Sequence, residues 1–294
     1  MVPCDIVKNL QPFVECVTVC PECDIGLGVP RHPIRLVNEE KTRLLQPATV
    51  QDITVKMQVF VKGFLDNLPD VDGFILKSKS PSCGFGTTKV FASADAQQPL
   101  HRHGTGLFAK GVLEQLGDIP HIDETSLMDS ETREHFVTRI FLHADLRLHK
   151  SSIRELIDFQ TRNKLLLMAY DQRKIKILGR TLADHKHQHF VETVAAYSNT
   201  LHEMTLVTPS RTNLSNTFMH AFGYYSYRLE PEKKQYLLNC IEEYRKGSLS
   251  LRDLRKAMIP CILEFHVDYL VDQTLFYPYP EKLDNLHSTR SNET

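Results

Sequence analysis

Cys16, Cys20 and Cys23 fall within eight positions of the stretch "VECVTVCPECDIGLGVPR", in the spacing C-x3-C-x2-C. Thiols so placed could hold an iron–sulfur cluster or a zinc ion, form a redox pair, or simply be buried. A three-ligand cluster needs a loop here, whereas Val14, Val17, Thr18 and Val19 favour extended chain. On a strand, Cys16 and Cys20 would share a face but stand roughly 13 Å apart. The pair in "CPEC" has dithiol spacing, but that chemistry sets its first cysteine at a helix N-terminus, and the glycines and prolines of "DIGLGVPRHP" oppose a helix. Zinc would need a second close Cys or His pair, and none has suitable spacing. Cys23 is therefore expected to be a buried structural residue.

Cys83 lies in a second block of interest, "LKSKSPSCGFG". Ser80, Ser82 and Gly84 bring hydroxyls and backbone N–H groups to it, and Pro21 and Pro81 each stiffen a turn beside a cysteine. Glu22 follows Cys20 by two residues and can reach the same space.

The elements that must position these residues read as a strand at 13–20 ("FVECVTVC"), an amphipathic helix around 52–67 and a strand at 71–77 ("VDGFILK"). Joined as a right-handed parallel βαβ unit, the two strands would deliver Cys20 and Cys83 to one carboxyl edge, where open α/β sheets bind ligands. Two ordinary turns with buried thiols account for the same pattern. Helices around 106–116 and 130–143 continue the alternation. The expected fold is an α/β, Rossmann-like N-terminal domain with a largely parallel sheet, spanning 1–148.

From about 150 no convincing strand remains. Ser152 and Glu155 make a capping-box pattern ahead of Ile153, Leu156 and Ile157 at helical spacing. Further helices are expected at 171–184, 188–206, 211–226, 231–246 and 250–272, broken by Pro209, Pro231 and Gly247. An all-α helical domain over 149–294 follows.

Bulk properties set the context. Thirty-five Lys and Arg against 36 Asp and Glu leave a net charge of −1, so no overall attraction to nucleic acid or anionic membrane is expected. No segment approaches the ~18 apolar residues of a membrane span, and the start lacks the basic and apolar runs of a signal peptide. A cytoplasmic protein is expected, whose seven cysteines serve as thiols or metal ligands rather than disulfides. Cys240 and Cys261 sit in apolar helical surroundings and read as core. Lys77, Lys79 and Lys89 flank the Cys83 block as solvated or substrate-facing charges. His185, His187 and His189 read as surface residues, with no carboxylate or cysteine in an obvious ligand pattern beside them.

"VCPECDIGLGVPRHPIRLV" and "LKSKSPSCGFG" closely resemble the two signature blocks of the bacterial 2-thiouracil desulfurase family. The similarity runs on through "PLHRHGTGLFAKGVLEQLGDIPHIDE" and "LMDSETREHFVTRIF", covering about residues 1–145. The tail, with "TRNKLLLMAY", "LGRTLA" and "DQTLFYPYPEKL", resembles the helical YbgA-like domain. The resemblance implies a [4Fe–4S] cluster held by three cysteines with one iron open to the sulfur of a thiolated pyrimidine, assisted by an acid and a hydroxyl. Cys20 and Cys83 match two cluster ligands, Glu22 the acid, and Ser80 and Ser82 the serines of S-P-S-C. The family's first ligand lies in a block of the form S-x-C-L-L-G, followed by R-Y-D-G; Cys4 does not match it, and a missing start to the chain is expected. As the sequence stands, the resemblance supplies two of three ligands: either the start is missing, or a different residue serves as the third, and a chain left with two alone would be inactive. The expected function is removal of sulfur from a thiolated nucleobase or a related small thioamide. The alternative is a non-catalytic metal-binding or regulatory protein whose helical domain recruits a partner.

Overall fold

Apolar side chains on one face of each helix build the first helical layer. Met57, Val61 and Leu65 line the buried side of one helix, and Leu107, Phe108, Ala109 and Val112 that of another. The computed structural model describes residues 5–38, 41–117, 119–187 and 189–283. Two compact units divide the chain, Met1–Phe136 and Val137–Thr294.

In the first unit the elements run α1 (Asp5–Leu10), α2 (Pro21–Asp24), β1 (Arg35–Asn38), β2 (Thr42–Gln46), β3 (Gln51–Asp52), α3 (Thr54–Asp66), β4 (Phe74–Leu76), β5 (Thr88–Phe91), β6 (Pro99–Gly104), α4 (Leu107–Leu116), β7 (His121–Asp123) and α5 (Ser130–Leu148), which crosses the division. Five strands form a sheet in the order β3-β2-β1-β5-β6, and β4 pairs separately with β7. Leu36, Leu44 and Val90 from the sheet pack with Ile53, Met57, Val61, Phe108 and Val112 into one core.

The first unit is mixed α/β, as expected, but its sheet is not the largely parallel one expected. In the five-stranded sheet only β1 and β5 run parallel, with Leu36 beside Val90, while β1–β2, β2–β3 and β5–β6 are antiparallel. Chain length gives the reason: three residues separate β1 from β2, and a connection that short joins only antiparallel neighbours. The β4–β7 pair is parallel, with α4 in the connection between its strands.

The strand expected at 13–20 is also overturned. Gln11–Phe13 is a 3-10 turn and residues 14–20 are irregular. Val17 is 53% exposed, and Glu15, Cys16 and Thr18 are exposed with it. A β-prone run becomes a strand only where a neighbour pairs with it and a face is covered. The strand expected at 71–77 contracts to Phe74–Leu76.

The second unit is helical, as expected: α6 (Ile153–Tyr170), α7 (Gln172–Ala183), α8 (Phe190–Met204), α9 (Arg211–Gly223), α10 (Pro231–Lys246), α11 (Leu251–Glu264) and α12 (Asp268–Val271). The cap expected at its start is formed, with the reciprocal bond shifted one residue back, to Ser151. Ser152 Oγ accepts from the Glu155 amide at 3.2 Å, and a Glu155 carboxylate oxygen accepts from the Ser151 amide at 3.0 Å. Leu142 and Leu146 of α5 join Leu156, Phe159, Tyr197 and Phe218 in its core, together with the buried Cys240 and Cys261. No helix among the described residues is long and apolar enough to cross a membrane.

Candidate functional site

Cys20 ends the irregular segment and caps α2. Its carbonyl accepts from the amides of Cys23 (2.9 Å) and Asp24 (3.0 Å), and Pro21 fills the first helical position, where no N–H is required. The glycines and prolines of "DIGLGVPRHP" do limit this helix, but to four residues rather than to none. One turn suffices to aim Cys20, Glu22 and Cys23 at a common space.

Arg31 returns to that space after the following loop. Its Nη1 donates to the Gly28 carbonyl at 2.9 Å and lies 3.5 Å from Cys23 Sγ; its Nη2 lies 3.5 Å from Glu22 Oε2 and 3.9 Å from Cys20 Sγ. Glu22 is buried at 8% exposure. One of its oxygens faces the Cys20 thiol at 3.6 Å, and the other accepts from the Ser80 hydroxyl at 3.3 Å. A single carboxylate thus joins the two sequence blocks, across 58 residues.

The second block is held as firmly as the first. Ser80 Oγ accepts from the amides of Ser82 (3.2 Å) and Cys83 (3.1 Å), and its carbonyl accepts from the Gly84 amide and from Thr88 Oγ1, both at 2.8 Å. Ser82 is fully buried; its carbonyl accepts from the amides of Phe108 (2.9 Å) and Ala109 (3.2 Å), which are among the first N–H groups of α4 and have no partner within the helix. Its hydroxyl has no hydrogen-bond partner among the described residues. A Cβ at Gly106 would sit 2.2 Å from the Ser82 carbonyl oxygen, so only glycine allows loop and helix to approach this closely. Upstream, Glu124 after β7 accepts from the Ser78 amide (2.7 Å), the Ser78 hydroxyl (2.8 Å) and Lys77 Nζ, tying the end of β4 to the end of β7. Lys77, one of the three flanking lysines, is therefore engaged with Glu124.

Burial and nearby charge favour the neutral thiol at Cys83 and Cys20. Burial first, and then the Glu22 carboxylate, push the Cys83 thiol up to about 12, against opposing pulls from its hydrogen bond to Ser80 and from Arg31. Burial also raises Cys20, with Glu22 and the Cys23 thiol adding to it and a Cys23 backbone hydrogen bond opposing. Thiols in such a setting ionise when a cation takes the place of the proton.

Five residues singled out from sequence, Cys20, Glu22, Ser80, Ser82 and Cys83, therefore meet in one place, although not at the ends of two parallel strands. Cys23 was expected to be merely structural, yet it faces Arg31 in the same cluster. Arg31 itself was missed: a single arginine eleven residues past Cys20 carries no spacing signal, and only its position inside the quoted block pointed to it. Cys16 is exposed, and Cys4 lies outside the described residues. The donor chemistry suits an iron–sulfur cluster at two positions, the thiols of Cys20 and Cys83. Among the described residues no three His, Cys, Asp or Glu side chains are gathered to hold a metal ion, so these residues do not complete a ligand set.

Two separate stretches of the chain match known families. Residues 3–124 match the 2-thiouracil desulfurase family, and residues 164–280 match a family described as a protein of unknown function, DUF1722. The "Uncharacterized protein YbgA" of Escherichia coli (strain K12) is 28% identical over 117 residues, which cover 38% of this chain and 69% of that protein. No solved structure matches the chain. The chain thus joins a segment similar to the 2-thiouracil desulfurase family to a helical one similar to YbgA.

Proposed function

We propose that the first unit removes sulfur from a thiolated pyrimidine such as 2-thiouracil, or from a related small thioamide. Water replaces the sulfur: the C=S bond is exchanged for C=O, and hydrogen sulfide leaves. The family match supports the reaction class, and the observation that carries the site assignment is the Glu22 carboxylate, buried between the Cys20 thiol and the Ser80 hydroxyl.

Glu22 acts as the general base that takes a proton from the attacking water and returns it to the departing sulfur. Ser80, fixed by the two amides that donate to it, holds one Glu22 oxygen and orients the carboxylate. Arg31 balances the negative charge on Glu22. Ser82 offers a buried hydroxyl with an unfilled hydrogen bond, which a polar atom of the substrate ring would satisfy. Cys20 and Cys83 are the residues that would hold an iron–sulfur cluster, whose chemistry is affinity for the sulfur being removed. A reducing compartment, in which thiols persist, is the setting this chemistry needs.

The test is turnover after anaerobic reconstitution with iron and sulfide. Glu22→Ala should keep the bound iron of the parent chain while sulfide release from 2-thiouracil falls about 10²–10⁴-fold. Cys83→Ser should lose iron and turnover together. Full turnover in Glu22→Ala would remove its assigned role. A chain that holds the cluster yet releases no sulfide from any thiolated base would be a metal-binding protein without turnover.

A further inference from the structure

In the second unit, α6, α7 and α9 enclose an open groove of about 570 Å³. That volume falls in the range of small-molecule and cofactor sites. The groove lies apart in sequence from every residue of the Cys20–Cys83 site, and the chemistry of its walls is one-sided.

Lys164 of α6 and Lys176 of α7 stand on its walls with His220 of α9. Neither lysine has a hydrogen-bond or ion-pair partner among the described residues, whereas the nearby Arg162 and Lys174 are engaged with Asp145 and Glu203. Among the described residues the helical segments that line the groove bring no carboxylate to it. Residues 159–170 of α6, all of α7 and all of α9 contain no Asp or Glu, in a chain where acidic residues outnumber basic ones by one. Asp171, between α6 and α7, is committed to capping α7 through the amides of Arg173 (2.7 Å) and Lys174 (3.1 Å). A carboxylate three or four residues away on the same helix would pair with such a lysine, and these positions hold none. Two uncompensated ammonium groups facing one groove fit an anionic ligand.

The rest of the lining narrows that ligand. Met168 and Ile175 are half-buried and pack against the core, giving an apolar floor. Gln160, Gln172 and Asn216 add three carboxamides, one from each helix, and Gln160 Oε1 is buried without a hydrogen-bond partner. A carboxamide supplies both donors and an acceptor, as needed to read the edge of a base or a ribose. Gly179 keeps α7 free of a side chain where a Cβ would come within 3.4 Å of Gln160 Nε2. An apolar floor, paired donor and acceptor groups, and two lysines together describe a nucleoside phosphate: the ring on Met168 and Ile175, its polar edge on the carboxamides, the phosphate on Lys164 and Lys176. We propose that this groove of the helical unit binds a nucleoside monophosphate.

Calorimetric titration of the full chain with UMP, AMP, uridine and inorganic phosphate tests this. At least one nucleotide should bind about tenfold or more tighter than uridine and than phosphate alone, the size of effect that charge-assisted hydrogen bonds supply. The exposed double variant Lys164→Gln/Lys176→Gln should remove that advantage. Gly179→Leu, which keeps every charge and favours the helix, should block nucleoside and nucleotide alike. Both variants should keep the parent's thermal midpoint. Nucleotide binding that survives both substitutions lies elsewhere, for instance at the Cys20–Cys83 site, and overturns the proposal. So does a nucleotide no tighter than phosphate, or one that does not bind.

Discussion

A single carboxylate shows how side-chain surroundings set chemistry here. Glu124 is drawn two ways: burial would raise its pKa, but hydrogen bonds from Lys77 and from the Ser78 amide and hydroxyl outweigh it and hold the group at about 2. Because the folded value lies below the ordinary 4.5, this contribution is fully present above about pH 4.5 and is lost as pH falls toward about 2. Glu124→Gln should therefore lower stability at pH 7, on the order of 1–3 kcal/mol for the lost charge-assisted bonds. The gap between variant and parent should close as pH approaches 2.5, as read from urea midpoints at the two pH values. An equal gap at both would mean that the carboxylate charge is not what holds the end of β4 to the end of β7. Glu22 uses the same kind of carboxylate differently, facing a thiol and a hydroxyl rather than a lysine.

Among the elements, the loop at Ser80–Gly84 and the start of α4 act as one piece, because the loop's carbonyls satisfy the helix's first amides. Gly106→Ala would press a methyl carbon against the Ser82 carbonyl and within 2.8 Å of the Cys83 amide. It should cost about 1–3 kcal/mol, typical of overpacking, and should expose Cys83 to alkylating reagents at native pH; unchanged stability and an unreactive Cys83 would contradict the close approach. Helices were the legible part of the sequence. α3, α4 and α6 announce themselves by apolar spacing and α6 also by its Ser152–Glu155 box, because a helix satisfies its own hydrogen bonds. Strands depend on partners far away in sequence. "FVECVTVC" has the composition of a strand and no neighbour, while "RLVN" and "TRLLQ" pair as a hairpin without an Asn-Gly or similar turn between them. The site was legible for a related reason. Cys20, Glu22, Ser80, Ser82 and Cys83 carry their chemistry in their residue types, but their meeting depended on a one-turn helix at "PECD", and Arg31 joined them through folding alone.

For the molecule as a whole, α5 is the element that crosses the division between the units. Its later residues belong to the second core: Leu142 and Leu146 are buried there, and Asp145 accepts from Arg162 (3.0 Å) and Asn163 (3.1 Å). A fragment of residues 130–294 should unfold cooperatively. A fragment of residues 149–294, lacking two buried leucines of the kind that cost about 2–5 kcal/mol each on truncation, should be markedly less stable or molten. Calorimetry of both fragments decides this, and equal thermal midpoints would show that α5 is dispensable to the helical core.

The central claim is that the Cys20–Glu22–Cys83 site exchanges sulfur for oxygen on a thiolated ring. Its most direct test is product analysis after anaerobic incubation of the iron- and sulfide-reconstituted chain with 2-thiouracil in ¹⁸O-labelled water. The account predicts uracil and sulfide in equal amounts, with the label in the new carbonyl and both products lost in Glu22→Ala. Cluster-loaded chain that leaves 2-thiouracil and related thioamides intact, or uracil formed without the label, would contradict it.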